Sequence, residues 1–100
     1  MSMTISVDQL AGLPGEELVR TGLEDIDSGQ VTVEACLVSI ASPRLRQRGL
    51  LSVGAALVPD AELVLYQLLG KAEGDAYSRY NSLLRRLVSF ERALDRFATV

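Results

Sequence analysis

The chain has 100 residues, 48% of them apolar, with 13 acidic and 10 basic side chains, a net charge of −3 and no histidine. A chain of this length makes one domain and hides only about 65% of the surface its unfolded form exposes, so apolar area is left for a partner or a second copy. The missing histidine removes the commonest general base, the Ser-His-Asp and Cys-His arrangements and the usual zinc and di-iron helix sites, and the chain reads as a non-enzyme without metal or cofactor.

The longest clean apolar run, Val53 to Val58, is six residues, far below the roughly 20 needed to span a bilayer. Met1-Ser2-Met3-Thr4 has no basic stretch leading into an apolar one, and the single cysteine, Cys36, fits a reducing compartment. The expectation is a cytoplasmic protein with no membrane contact. Charge is unevenly spread: residues 7–34 hold seven carboxylates against Arg20 alone, whereas residues 75–100 hold five arginines against three carboxylates. Such an acidic front and basic back describe two solvated faces of one fold, or a head-to-tail contact between copies.

In chain order, Ser6-x-x-Gln9 is a capping box that predicts a short helix from Val7 to Ala11. Pro14 then suits a first helical turn, with Glu16 and Glu17 at its positive end, and the helix should stop at Gly29. Gly22 is a possible break, since glycine costs a helix interior about 1 kcal/mol. Thr32 reads as the next cap, with Val31 and Cys36 placed as a hydrophobic staple. Val33, Cys36, Leu37 and Ile40 share one helical face. Ser42-Pro43 interrupts that helix and starts another, with Ser42 as cap, ending at Gly49. Leu50 to Val58 is either a buried connector or one loose helical turn.

Pro59 opens a helix whose stripe of Ala61, Val64, Leu65 and Leu68 is widened by Leu63, Tyr66 and Leu69, which makes it the central helix. A turn over Gly70 to Gly74 leads to Asp75, the cap of the longest helix, running to about Phe97. There Tyr80, Leu83, Leu87, Phe90, Leu94 and Phe97 recur at intervals of 3, 4, 3, 4 and 3, a heptad pattern with Leu84 and Val88 beside it. The repeat is shorter than the three to four heptads of a free-standing coiled coil, so it is either the core seam of the domain or a helix pair between copies. The fold class is all-α: a compact bundle of about five helices.

Asp27 to Glu34 is similar to the acyl carrier protein pattern, an acidic helical bundle with Asp-Ser-Leu at a helix start, and that resemblance implies modification at Ser28. Gly29 stands in place of the leucine, and one extra residue precedes Val33-Glu34.

The preferred function is a non-catalytic helical protein–protein interaction module, self-associating or a small subunit of a complex. Its contact would use the stripe of the last helix, with Phe90, and the flank of Arg79, Arg85, Arg86 and Arg92. Tyr77 and Asn81 would form a small cleft with the helix carrying Arg44 and Arg48, where arginine could meet an anionic group. The alternative is nucleic-acid binding through Arg44 to Arg48 and the arginines of the last helix.

Overall fold

The helix that the others surround begins at Thr32. In a computed structural model, which describes residues 10–52, 54–70 and 75–99 (side chains only to 97), α1 spans Glu16–Asp27, α2 Val33–Ile40, α3 Ser42–Gln47, α4 Ala61–Gly70 and α5 Ala76–Thr99. The described residues form no strand. The all-α class, five helices and the long C-terminal helix are as expected. Ser6 and Gln9 lie outside the described residues, as do 71–74 of the expected turn.

Thr32 caps α2 as its position predicts. Its hydroxyl oxygen accepts from the Ala35 N–H at 3.0 Å, and its O–H donates to Asp25 Oδ2 at 2.6 Å, tying the cap to α1. Val31 is 59% exposed, so little of the expected staple forms. Ala35, Cys36, Leu37 and Val38 are all fully buried. Four consecutive buried residues point in every direction around a helix, so α2 must be covered on all sides; α1, α3, α4 and α5 each contact it. The expectation that the Pro59 helix is central is therefore corrected. Within α4 only Leu65 and Leu69 are buried, and Leu63 and Tyr66 face outward. A wide apolar stripe marked α4 in the sequence, but small side chains at Ala35 and Cys36 are what let neighbours close around α2.

The main partner of α2 is α1. Gly22 is buried at their crossing, where a Cβ would lie 2.8 Å from the Glu34 carbonyl carbon and closer still to its oxygen and to Val38 Cγ2. Helix α1 runs unbroken through Gly22 rather than breaking there, because the glycine serves close packing and not a turn. Pro14 precedes the helix instead of opening it. Gly15, at φ 76°, is the cap residue, and a Cβ on it would meet the Arg86 carbonyl oxygen of α5 at 3.1 Å. Gly29, at φ 73°, follows the other end as predicted.

Helix α3 starts one residue earlier than expected: Ala41 is its cap, and Ser42 is a buried first-turn residue beside Pro43. The described residues of the 50–58 segment, 50–52 and 54–58, form an irregular connector with Leu51 and Val58 buried. It is pinned by Ser39, whose Oγ accepts from the Val58 N–H and donates to the Ala35 carbonyl, both at 2.9 Å. Asp60 sits at φ 51°, a left-handed conformation that aspartate tolerates, so α4 begins only at Ala61.

Asp75 caps α5 as predicted, with Oδ1 accepting from the Tyr77 N–H at 3.0 Å and Oδ2 from the Ser78 hydroxyl at 2.9 Å. Leu87, Phe90 and Leu94 are buried, and Tyr80 and Leu83 pack against the same core. Full burial stabilises by about 1.5–3 kcal/mol for each such side chain. Tyr80 meets Tyr66 of α4 edge to face, with ring centroids 5.7 Å apart. Most of the heptad stripe of α5 is thus the seam of the domain's own core. At 24 residues α5 outruns its neighbours, and the molecule measures 45 × 25 × 18 Å.

Gly22→Ala should lower the urea-unfolding free energy by about 1–3 kcal/mol, overpacking outweighing the gain of about 1 kcal/mol in helix propensity. Gly54→Ala, with open space around it, should stay within about 0.5 kcal/mol of the parent. Equal stabilities for the two variants would mean that α1 and α2 do not touch at Gly22.

Candidate interaction surface

Arginines of α3 and α5 meet carboxylates within the fold. Arg44 pairs with Asp95 of α5, and Arg48 Nη2 lies 3.1 Å from the same carboxylate. The hydrogen bond from Arg44 is the largest cause holding the Asp95 carboxyl below its ordinary 3.8. One turn earlier, burial pushes the Glu91 carboxyl up, against the opposing pull of Arg44. Arg86 pairs with Glu17 of α1, and Arg79 is also engaged. Arg85 and Arg92 are exposed and make no ion pair among the described residues.

The sequence-predicted site residues therefore do not converge. Arg44 and Arg48 lie beside Asp95, 18 positions along α5 from Tyr77, a separation of about 27 Å at 1.5 Å per residue. No cleft joins Tyr77 and Asn81 to α3. Phe90 is fully buried and belongs to the core rather than to an outward surface. Its heptad position identified the seam correctly but carried no information about which side of the seam was internal. Tyr77 is 65% exposed, and the half-buried Asn81 side chain bonds no other element among the described residues.

What α5 does present is a second stripe. Tyr77, Asn81, Leu84, Val88, Glu91 and Asp95 recur at intervals of 4, 3, 4, 3 and 4, a narrow seam parallel to the buried one. Its C-terminal end, Glu91 and Asp95, interacts with α3. Its N-terminal part is open: Val88 is 42% exposed, and a shallow groove of about 450 Å³ runs past Asn81, Leu84, Val88 and Ser89 between Arg85 and Arg92. The 4, 3, 4 spacing was in the sequence, but the stronger stripe absorbed Leu84 and Val88 as its margin.

Sequence reasoning also missed an open cleft of about 540 Å³ between α1 and the connector, lined by Arg20, Leu23, Glu24, Asp27, Leu51 and Ala55. Only the small residues Gly54, Ala55 and Ala56 hinted at it. A third hollow of about 520 Å³ lies where Ile40 and Pro43 meet Val58 and Glu62. Serines and carboxylates line two of them, Ser52 with Glu24 and Asp27 and Ser42 with Asp60 and Glu62, and among the described residues no hydrogen bond joins these hydroxyls to these carboxylates. The Cys36 thiol is buried, and burial pushes its pKa up, away from the thiolate that reacts. Among the described residues no three His, Cys, Asp or Glu side chains gather to hold a metal, and no helix is long and apolar enough to cross a membrane. Ser28 lies at the C-terminal cap of α1, not at a helix start. Compared with known proteins, the chain matches no family model, no curated protein and no solved structure.

The two carboxylates of the α3 contact should respond oppositely to pH. Asp95 has its pKa lowered on folding, so its contribution is full above about 3.8 and is lost as pH falls towards the folded value. Asp95→Asn should therefore destabilise at pH 7 and by less at pH 2.5. Glu91 has its pKa raised from 4.5, so Glu91→Gln should stabilise at pH 7 and lose that advantage on acidification below 4.5. Urea midpoints at the two pH values check both signs.

Proposed function

We propose that this domain is a non-catalytic helical interaction module, a small subunit whose working face is the open part of the second α5 stripe, Tyr77 to Val88, with Arg85 and Arg92 beside it. The observation that carries the reading is the exposure of Val88 and Tyr77 on one helix whose other apolar stripe is already buried. Leu84 between them packs partly against the core, which leaves Tyr77 and Val88 as the apolar side chains that a docking helix would cover.

Nucleic-acid binding draws less support. Arg44, Arg48 and Arg86 face Asp95 and Glu17, and counterion release needs cations directed at phosphate. The carrier reading at Ser28 lacks the helix start that the acyl carrier pattern provides. Catalysis draws little, since the chain has no histidine and its one thiol is buried.

The test is a photo-crosslinking amino acid placed at Val88 or, as a control, at Thr21 on the exposed side of α1, with the protein at its native level in its own host. The expected result is a discrete protein adduct from position 88 and none from 21. Adducts from neither position, or from both alike, would contradict the assignment of the working face.

A further inference from the structure

Resting on that reading, we infer that the occupant of the α5 face is an amphipathic helix of another protein carrying carboxylates along one flank, and not a second copy of α5. In heptad terms the stripe places Tyr77 and Leu84 in one seam position and Asn81 and Val88 in the other. The flanking positions on one side are Tyr80, Leu87 and Leu94, which belong to the domain core. The flanking positions on the open side are Ser78, Arg85 and Arg92. The face thus has a single polar border, whose two charged residues, Arg85 and Arg92, make no ion pair among the described residues.

That border selects against self-pairing. Two antiparallel copies would set Arg85 and Arg92 of one helix opposite the same arginines of the other. Two parallel copies would direct each arginine at the partner's buried flank, where no carboxylate stands. The acidic α1 of a second copy does not serve either. Its outward residues, Glu17, Thr21, Glu24, Asp27 and Ser28, bring carboxylates but no apolar side chain to cover Leu84 and Val88.

The domain already shows the arrangement in mirror image. Where the same stripe turns acidic, at Glu91 and Asp95, it meets a helix bearing Arg44 and Arg48. The open stretch is continuous with that contact and reverses its charges, so it calls for a helix bearing Glu or Asp. From Tyr77 to Arg92 is about 22 Å, which fits a partner helix of about 15 residues. Arg85 and Arg92 are one heptad apart, so the partner's carboxylates should be too. Asn81, a polar residue in the seam, calls for a polar side chain opposite and sets the register.

The probes are two synthetic helical peptides of about 18 residues with leucines in the seam, one carrying glutamates a heptad apart on its flank and the other lysines, measured by fluorescence anisotropy at low and high salt. The acidic peptide should bind at least about tenfold tighter than the basic one, and more weakly as salt rises. Arg85→Glu with Arg92→Glu, both exposed substitutions, should reverse the preference, and Arg85→Gln with Arg92→Gln should abolish it. Equal binding of the two peptides, or no binding below about 1 mM, would overturn the inference. So would light scattering that shows a stable dimer broken by Val88→Asp, although that outcome would keep the working face and replace only its occupant. Adsorption to anionic lipid vesicles without affinity for the acidic peptide would overturn it in favour of a membrane surface. Loss of the position-88 adduct described above would remove the face itself.

Discussion

The close approach of α1 to α2 is the constraint on which the rest of the domain depends. Gly22 leaves no room for a Cβ against the Glu34 carbonyl and Val38, so the helices cross nearly backbone to backbone. That proximity brings Asp25 within hydrogen-bonding reach of Thr32, fixing the cap of α2. It also lets Val19 and Ile26 of α1 join the buried side of Cys36 and Leu37. A second close approach, Gly15 against the Arg86 carbonyl, sets the start of α1 on α5. Helix α5 is held chiefly by α4, with a lesser direct contact to α2.

Placement of α5 then determines what remains available for binding. With Leu87, Phe90 and Leu94 turned into the core, the row from Tyr77 to Asp95 lies about a quarter-turn round the helix from them, with Leu84 packed partly against the core and Tyr77 and Val88 exposed. One end of that row is acidic and meets the arginines of α3; the other is apolar, bordered by arginines without ion pairs among the described residues. In the proposed reading, a helix that is core seam on one side and docking face on the other would give a 100-residue domain an interaction surface without a separate element.

Many local signals in the sequence held. Thr32 and Asp75 as caps, Pro43 in a first turn and Gly29 and Gly49 after helix ends all follow from backbone chemistry within a few residues. Others slipped by a residue or two, at Pro14, Ser42 and Pro59, and Val31 stays exposed; the larger failures depended on contacts between distant residues. Gly22 reads as a weak point by propensity, because nothing local reveals the Glu34 carbonyl beside it. The apolar stripe around Leu63, Tyr66 and Leu69 suggested a central helix, whereas centrality goes to the run of small buried residues in α2. The candidate site was legible in parts: Tyr77, Asn81, Arg85 and Arg92 share one side of α5. Phe90 was joined to them by its heptad position and Arg44 and Arg48 by an expected cleft, and the fold gives these three other partners.

The enclosure of α2 is the claim on which both the fold and the leftover face rest, and the single cysteine reports on it directly. Cys36 is fully buried at the middle of that helix, so a small disulfide reagent can reach it only when the surrounding helices part. The rate of thiol reaction in native buffer should be at least about a thousandfold below that in concentrated urea, as expected for access through unfolding of a domain stable by several kcal/mol. A native rate within tenfold of the denatured one would show that α2 is not enclosed, and the account of the fold would fail with it.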